Sequence, residues 1–352
     1  MKIILISLSL FIFSIKSYAL QVVDQNGRSI TFDSEVKRVV SIPIPAPSMF
    51  ISIDGKADKL VGVHGLTKTA MKGKFLGKLF PEVLSLPSDF VGKGFNFMPN
   101  VERVLELDPD LVFQWGNYGN EIFDPLVNAG LNVAAIKIRN ENDTREWIRI
   151  MSTVLGKKDK AVKMVSWRDE TMKIVKNNAK KVNERKKILY FRLFRNTLQV
   201  AGKGTYNNFY INLIGAQNPA NSKKGFYNVT PEQVISWDPD IVLMNGFEPK
   251  LGPKAYIDHP IFSISKAAKE KKVYSMPLGG YRWDPPNQES PLTWMWLGML
   301  AYPESHNYNL KLEMDRSYKM LYGKNISEND IKQILKVKLN KQSYKYLNIL
   351  GL

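Results

Sequence analysis

Residues 158–184 read KDKAVKMVSWRDETMKIVKNNAKKVNE, with neither Gly nor Pro to interrupt them. Ala161, Val165, Met172, Val175, Ala179 and Val182 recur at steps of three, four or seven, which sets them on one stripe of a helix, while Lys, Arg, Asp, Glu and Asn fill the rest of its surface. About 27 residues rising 1.5 Å each make a rod of roughly 40 Å, longer than one small domain is wide. The spacing therefore predicts a single helix from Lys158 to about Glu184, long enough to link two lobes.

On either side of that rod the chain repeats itself. Val101-Glu102-Arg103-Val104-Leu105-Glu106-Leu107-Asp108-Pro109-Asp110-Leu111-Val112 matches Pro231-Glu232-Gln233-Val234-Ile235-Ser236-Trp237-Asp238-Pro239-Asp240-Ile241-Val242 in its Glu, a Val, the whole Asp-Pro-Asp and the final Val. Glu232 stands 130 positions after Glu102, and Asp238 stands 130 after Asp108. Each copy reads as a short helix opened by an acidic residue, an Asp-Pro turn and an apolar strand, Leu111 to Trp115 or Ile241 to Asn245. The same unit twice, once on each side of a long helix, predicts an α/β protein of two similar lobes with a cleft between them.

Composition agrees with that plan. The 352 residues are 44% hydrophobic and 24% charged, enough material for two cores. Met1-Lys2, an apolar run from Ile3 to Ile15 and Lys16-Ser17-Tyr18-Ala19 read as a secretory signal over residues 1–19, cleaved after Ala19. The run is too short for a membrane span, which needs about 20 apolar residues. There is no Cys, hence neither a disulfide nor a lipid-attachment site, and the expected location is free in the periplasm. The formal charge of +17 falls to +15 once Lys2 and Lys16 leave with the leader. Such a balance is compatible with nucleic acid, anionic lipid or a small anionic ligand; Lys is dispersed rather than blocked, so most of it reads as solvated surface and nucleic acid is not the expected partner.

The remaining chain alternates strands and helices. A hairpin turns at Asn26-Gly27, and strands follow at Arg38 to Ile42, Leu60 to Val63 and Val133 to Ile138, with a helix from Thr144 to Leu155. Beyond the rod come strands at Ile188 to Phe194, Leu198 to Ala201 and Val273 to Met276, a helix ending near Leu213, an apolar helix from Leu292 to Ala301 and a polar helical tail to Leu352. Gly202 and Gly204 lack the third Gly and the Lys-Ser/Thr ending of a phosphate cradle and read as a tight connection.

Taken together, the opening, the twin Glu-containing helices ending in Asp-Pro-Asp, His259-Pro260 ahead of Lys271-Lys272-Val273-Tyr274, and Leu297 to Pro303 resemble the periplasmic binding proteins of ABC importers for metal chelates. The resemblance implies two Rossmann-like lobes, 20–157 and 186–352, joined by one backbone helix over 158–185, with limited closure and a shallow cleft. It implies a monomer that carries no permanent cofactor and delivers its ligand to an inner-membrane permease dimer with its ATPase. It also implies that one Glu per lobe, here Glu102 and Glu232, meets arginines on the two-fold permease, although capping a helix N-terminus is their simpler role. That family takes up ferric siderophores, haem, cobalamin and related complexes, and the expected ligand here is an anionic metal chelate: first a ferric siderophore, then a small nickel or cobalt chelate, then haem or cobalamin.

In open parallel sheets a ligand lies beyond the carboxyl ends of the strands. In this chain that rule selects Pro47 and Ser48, Phe95 with Asn96, and Trp115 with Tyr118 from the first lobe. From the second it selects Arg192, Arg195, Tyr206, Asn245 with Phe247, and Tyr281, Arg282 and Trp283. Aromatic planes stack on a flat chelator, and guanidinium groups neutralise an anionic one through paired hydrogen bonds. Each candidate has a plainer role beside it: an internal ion pair for Arg192, a turn for Arg195, pairing with Asp284 for Arg282, lobe core for Trp115 and Tyr118. His64, at a strand end, either completes the coordination of a chelated metal or is a hydrogen-bonded loop residue. A two-lobed periplasmic enzyme is the competing class, but there is no nucleophile-elbow Ser, no Cys and no paired-His motif.

Overall fold

A computed structural model describes residues 20–246 and 252–352; residues 1–19, read above as a secretory signal, and Phe247 lie outside them. The first half runs β1 (Leu20–Val23), β2 (Ser29–Phe32), β3 (Val39–Ser41), α1 (Ala46–Asp54), β4 (Leu60–Val63), α2 (Gly65–Met71), α3 (Phe75–Leu79), α4 (Val101–Leu105), β5 (Leu111–Trp115), α5 (Asp124–Asn128), β6 (Val133–Ile136) and α6 (Glu141–Val154). After α7 (Lys158–Ala179) come β7 (Ile188–Phe194), β8 (Leu198–Ala201), α8 (Tyr206–Leu213), β9 (Phe226–Val229), α9 (Pro231–Trp237), β10 (Ile241–Met244), α10 (Pro253–Ile257), α11 (Lys266–Lys269) and β11 (Val273–Ser275). Four helices close the chain: α12 (Ser290–Ala301), α13 (Leu310–Tyr322), α14 (Glu328–Ile334) and α15 (Tyr346–Leu350).

Two separate sheets organise these elements. The first, in order β4-β3-β5-β6, is wholly parallel; the second, in order β11-β10-β7-β8-β9, is parallel through β7 and then antiparallel. β5, β6 and β10 are buried at every position, as expected of parallel strands covered on both faces. In β7 the faces divide by alternation: Ile188 and Tyr190 join the large core that runs through both lobes, and Leu189 and Phe191 join a smaller one with Val242, Tyr256 and Phe262. β9 carries no periodic apolar signal and escapes the sequence reading, because its pairing with β8 alone makes it a strand.

The twin motif folds twice in the same way. Asp108 and Asp238 both take a left-handed backbone, with φ of 45° and 41°. Asp110 accepts hydrogen bonds from the Lys37 and Arg38 amides at the start of β3 (2.7 and 2.8 Å), and Asp240 accepts one from the Lys187 amide at the start of β7 (2.7 Å). In each lobe the second Asp therefore ties the motif to the neighbouring strand, and these aspartates are structural.

Two expectations about helices change. The linking helix ends at Ala179, short of Glu184, and its buried stripe is Met164, Arg168, Thr171 and Val175. Of the predicted apolar stripe only Val175 is buried; Ala161, Val165, Met172, Ala179 and Val182 flank it, half-buried. The stripe centres on a charge because Arg168 has its partners built in. Its Nε and Nη2 donate to Glu141 Oε1 and Oε2 at 2.7 and 2.6 Å, its Nη1 donates to Asn287 O at 2.9 Å, and its guanidinium lies 5.6 Å from the Trp294 ring.

The tail is also more than a polar appendage. α13 buries Leu310, Met314, Tyr318, Leu321 and Tyr322, and α14 reaches the first lobe. Lys78 Nζ donates to Gln333 Oε1 at 2.7 Å, Gln333 Nε2 donates to Gly73 O at 3.0 Å, and Phe75 meets Tyr318 edge-on at 4.9 Å. His306 is fully buried, with its ring nitrogens on Ile214 O and Tyr308 OH.

Candidate ligand site between the lobes

Glu141 opens α6 just beyond the carboxyl end of β6, and it meets the second lobe through Arg168 and through Tyr206 OH at 3.1 Å. This contact sets the carboxyl edge of the first sheet against the loop 277–289 of the second. The candidate site is what these two edges present to each other.

The first lobe contributes an aromatic wall. Phe97 lies 5.8 Å from Trp115 and 5.2 Å from Tyr118, and Trp115 lies 5.7 Å from Tyr118. Gln114, buried within β5, fixes the wall: its Nε2 donates to Phe97 O and Ile122 O. Trp115 is buried, whereas Tyr118 (51% exposed) and Phe95 (71% exposed) are open. Phe97 is a member of the wall that the sequence pattern did not single out, although its near neighbour Phe95 stood out in the loop 92–96. Pro47 and Ser48 are buried in the first turn of α1, where Ser48 Oγ donates to Pro45 O at 2.8 Å.

His64 caps α2. Its Nδ1 accepts from the Leu66 amide at 3.0 Å, which leaves the proton on Nε2, facing Asn96 O at 3.4 Å. Burial holds the ring below its ordinary pKa and therefore neutral. With both nitrogens engaged, the metal-completing role is not available in this conformation. Among the described residues no group of three or more His, Cys, Asp or Glu is placed to hold a metal.

The second lobe contributes the loop carrying Tyr281 and Arg282, anchored from below by Glu289. That carboxylate accepts from the Gly280 amide (2.8 Å), Trp283 Nε1 (2.6 Å), Tyr318 OH (2.9 Å) and Tyr322 OH (2.5 Å). A Cβ on Gly279 would sit 2.0 Å from Glu289 Oε2, and one on Gly280 would sit 2.0 Å from Tyr322 OH, which is why two glycines stand here. Trp283 is thus interior and Tyr206 is spent on Glu141, so both support the loop instead of stacking on a ligand. Glu289→Gln points a donor at converging donors and is expected to destabilise the protein by about 1–3 kcal/mol. Urea unfolding followed by near-ultraviolet circular dichroism of Trp283 measures this, and an unchanged midpoint would remove Glu289 as the anchor.

Arg282 Nη2 donates to Asp284 Oδ2 at 2.9 Å, and that oxygen also accepts from Tyr190 OH at 2.7 Å. Burial works against the Arg282 charge, but Asp284 and the surrounding phenols outweigh it and hold its pKa above the ordinary arginine value. The pairing with Asp284 foreseen as the plainer role is therefore present, and it aims a side chain that keeps partial exposure. Among the described residues Arg192 forms no ion pair. The ladder shifts register between Phe191 and Leu193, and this bulge turns Arg192 to the surface, 4.7 Å from the Phe226 ring. Asn245 Nδ2 donates to Arg192 O at 2.9 Å, joining the carboxyl ends of β7 and β10, and Arg195 is exposed in the following turn.

Glu102 and Glu232 each stand at the second position of their twin helix, and both are exposed. Their N-terminal turns are capped by other residues, Asn100 and Thr230. Hydrogen bonds from its own amide and from Thr230 hold the Glu232 carboxyl below the usual range. No helix among the described residues is long and apolar enough to cross a membrane.

The family described as periplasmic binding protein matches residues 48–278. The chain is 25% identical over 307 residues to a molybdate-binding protein of Haemophilus influenzae, covering 80% of this chain and 85% of that one. It is 22% identical to an iron-uptake system-binding protein of Bacillus subtilis, covering 69% and 80%. The crystal structure of a periplasmic solute binding protein from Veillonella parvula superposes with a TM-score of 0.83 at 30% identity, covering 92% of this chain and 98% of that one.

Proposed function

The chain belongs to the periplasmic binding protein family, and from that membership we propose that it captures an anionic metal chelate, a ferric siderophore first, and hands it to an inner-membrane ABC permease. Support for the ligand class comes from Arg282, aimed by Asp284 on a loop locked by Glu289, and from the first-lobe wall of Phe97, Trp115 and Tyr118, which this reading sets across the cleft from it. A guanidinium meets the charge and the rings meet the chelator. Tyr281, Arg192, Arg195, Asn245 and Phe95 are the other contacts in this reading. A second reading, a bare oxyanion such as molybdate, is favoured by the molybdate-binding relative. Nickel or cobalt chelates, haem and cobalamin stand behind these two.

In the same reading residues 20–157 and 186–352 are the lobes, the mature chain starts after Ala19 and is free in the periplasm as a monomer, and Glu102 and Glu232 dock the permease. The test is native mass spectrometry of the mature protein against ferric chelates, molybdate and nickel and cobalt chelates. One-to-one binding of an anionic member without turnover is expected; turnover of the bound compound would favour the enzyme class. Arg282→Ala should weaken the bound anion by about 1.5–3 kcal/mol, the worth of a charged hydrogen bond. Unchanged affinity in calorimetry would take Arg282 out of the site.

A further inference from the structure

Two lysines that no motif singled out stand on segments tied to this loop and to its neighbours. Lys336, just past α14, donates from Nζ to Gly246 O, which places its ammonium at the carboxyl end of β10. α14 itself is joined to the ligand loop, since the Leu278 amide donates to Ile334 O at 2.9 Å. Lys74 comes from the first lobe. It follows Gly73, whose carbonyl accepts from Gln333 on α14, so the turn between α2 and α3 lies against the segment that carries Lys336. The charges that act on Lys336 are Arg282 and Asp284 from the loop and Lys74 from across the lobes. Lys336 therefore feels cations from both lobes and one carboxylate, and that carboxylate is already engaged by Arg282 and Tyr190.

We propose that Lys74 and Lys336 form with Arg282 a ligand-charge cluster spanning both lobes, which makes the cargo an anion of two or more negative charges held by both lobes at once. This rests on the reading of the cleft as an anion site and names the charge class it takes. Like charges this close repel unless a counter-charge arrives, so the cluster is a poor arrangement for stability and a good one for capture. Burial, with repulsion from Lys74 and Arg282 added and Asp284 opposing, pushes the Lys336 ammonium down to about 8. A bound anion favours the charged form, so affinity is full below pH 8 and falls as pH rises through it, by at most about tenfold per pH unit for one coupled proton.

The experiment is calorimetric titration of the full mature chain with ferric citrate, molybdate and, as a charge control, a neutral ferric trihydroxamate, from pH 6.5 to 9.5. The anion that binds is expected to bind Lys74→Met and Lys336→Met at least tenfold more weakly. In Lys336→Arg the affinity should stay within threefold of the wild type and lose its decline above pH 8. Lys74 is half-buried with no hydrogen bond from its Nζ among the described residues, so that variant decides the matter even if Lys336→Met unfolds. Anion affinity within twofold of wild type in both lysine variants, with Arg282→Ala still weakened, would overturn the cluster and leave the cleft reading intact. Binding of no anion, or equal binding of the neutral chelate, would overturn both.

Discussion

Replacing Arg168 by Met is expected to lower the unfolding free energy by about 3–5 kcal/mol, because removing one member of a buried pair strands the other without compensation. Glu141 would keep only Tyr206 OH at 3.1 Å and a 3.3 Å ion pair with Arg145, and Asn287 O would lose its charged donor, keeping the Ser290 hydroxyl at 2.9 Å. The loss falls where it matters most. Arg168 stands on the linking helix, Glu141 on the first lobe and Asn287 on the loop leading into α12 of the second, so one guanidinium clamps all three. Urea unfolding of Arg168→Met and of Arg168→Met with Glu141→Gln measures the effect. The double variant should recover part of the loss, since a neutral pair no longer strands a charge. A loss below about 1 kcal/mol in the single variant would mean that the clamp is incidental to stability.

The second large effect concerns transport. Glu102→Gln with Glu232→Gln is expected to cut ligand uptake by tenfold or more in vesicles reconstituted with the permease and its ATPase. Each single variant should fall less, and the affinity for free ligand should stay within twofold. Both carboxylates are exposed, equivalent under the twin motif and without an ion-pair partner among the described residues, as a surface awaiting basic groups on a two-fold partner requires. The hydrogen bonds that hold the Glu232 carboxyl low keep it charged well into mildly acidic conditions. The effect should also shrink at high salt, because exposed charge pairs are screened. A fall in ligand affinity instead of uptake would move these residues from the docking face to the pocket.

The twin motif, the linking helix and both central sheets were legible because each depends on short-range signals: Asp-Pro turns, uninterrupted helical periodicity and apolar strands at a constant separation. The bounds of β4, β7 and β8 coincide with the apolar runs that predict them. The glycine pair at 279–280 and the charge of Arg282 likewise mark their loop as unusual before any contact is known. What sequence alone could not decide is which side of each element meets what. The face of α7 that is buried carries Arg168, since Glu141 and Asn287, remote in sequence, make burying a charge tolerable. Trp283 and Tyr206 look like ligand aromatics until Glu289 and Glu141 claim their polar atoms. A bulge, invisible in the residue pattern of β7, turns Arg192 outward. Lys74 and Lys336 carry no motif, and only the packing of α14 against the turn before α3 brings them together. Local periodicity determines secondary structure and its order; the burial of a charge, and the meeting of residues from two lobes, are set by long-range contacts that only the tertiary structure supplies.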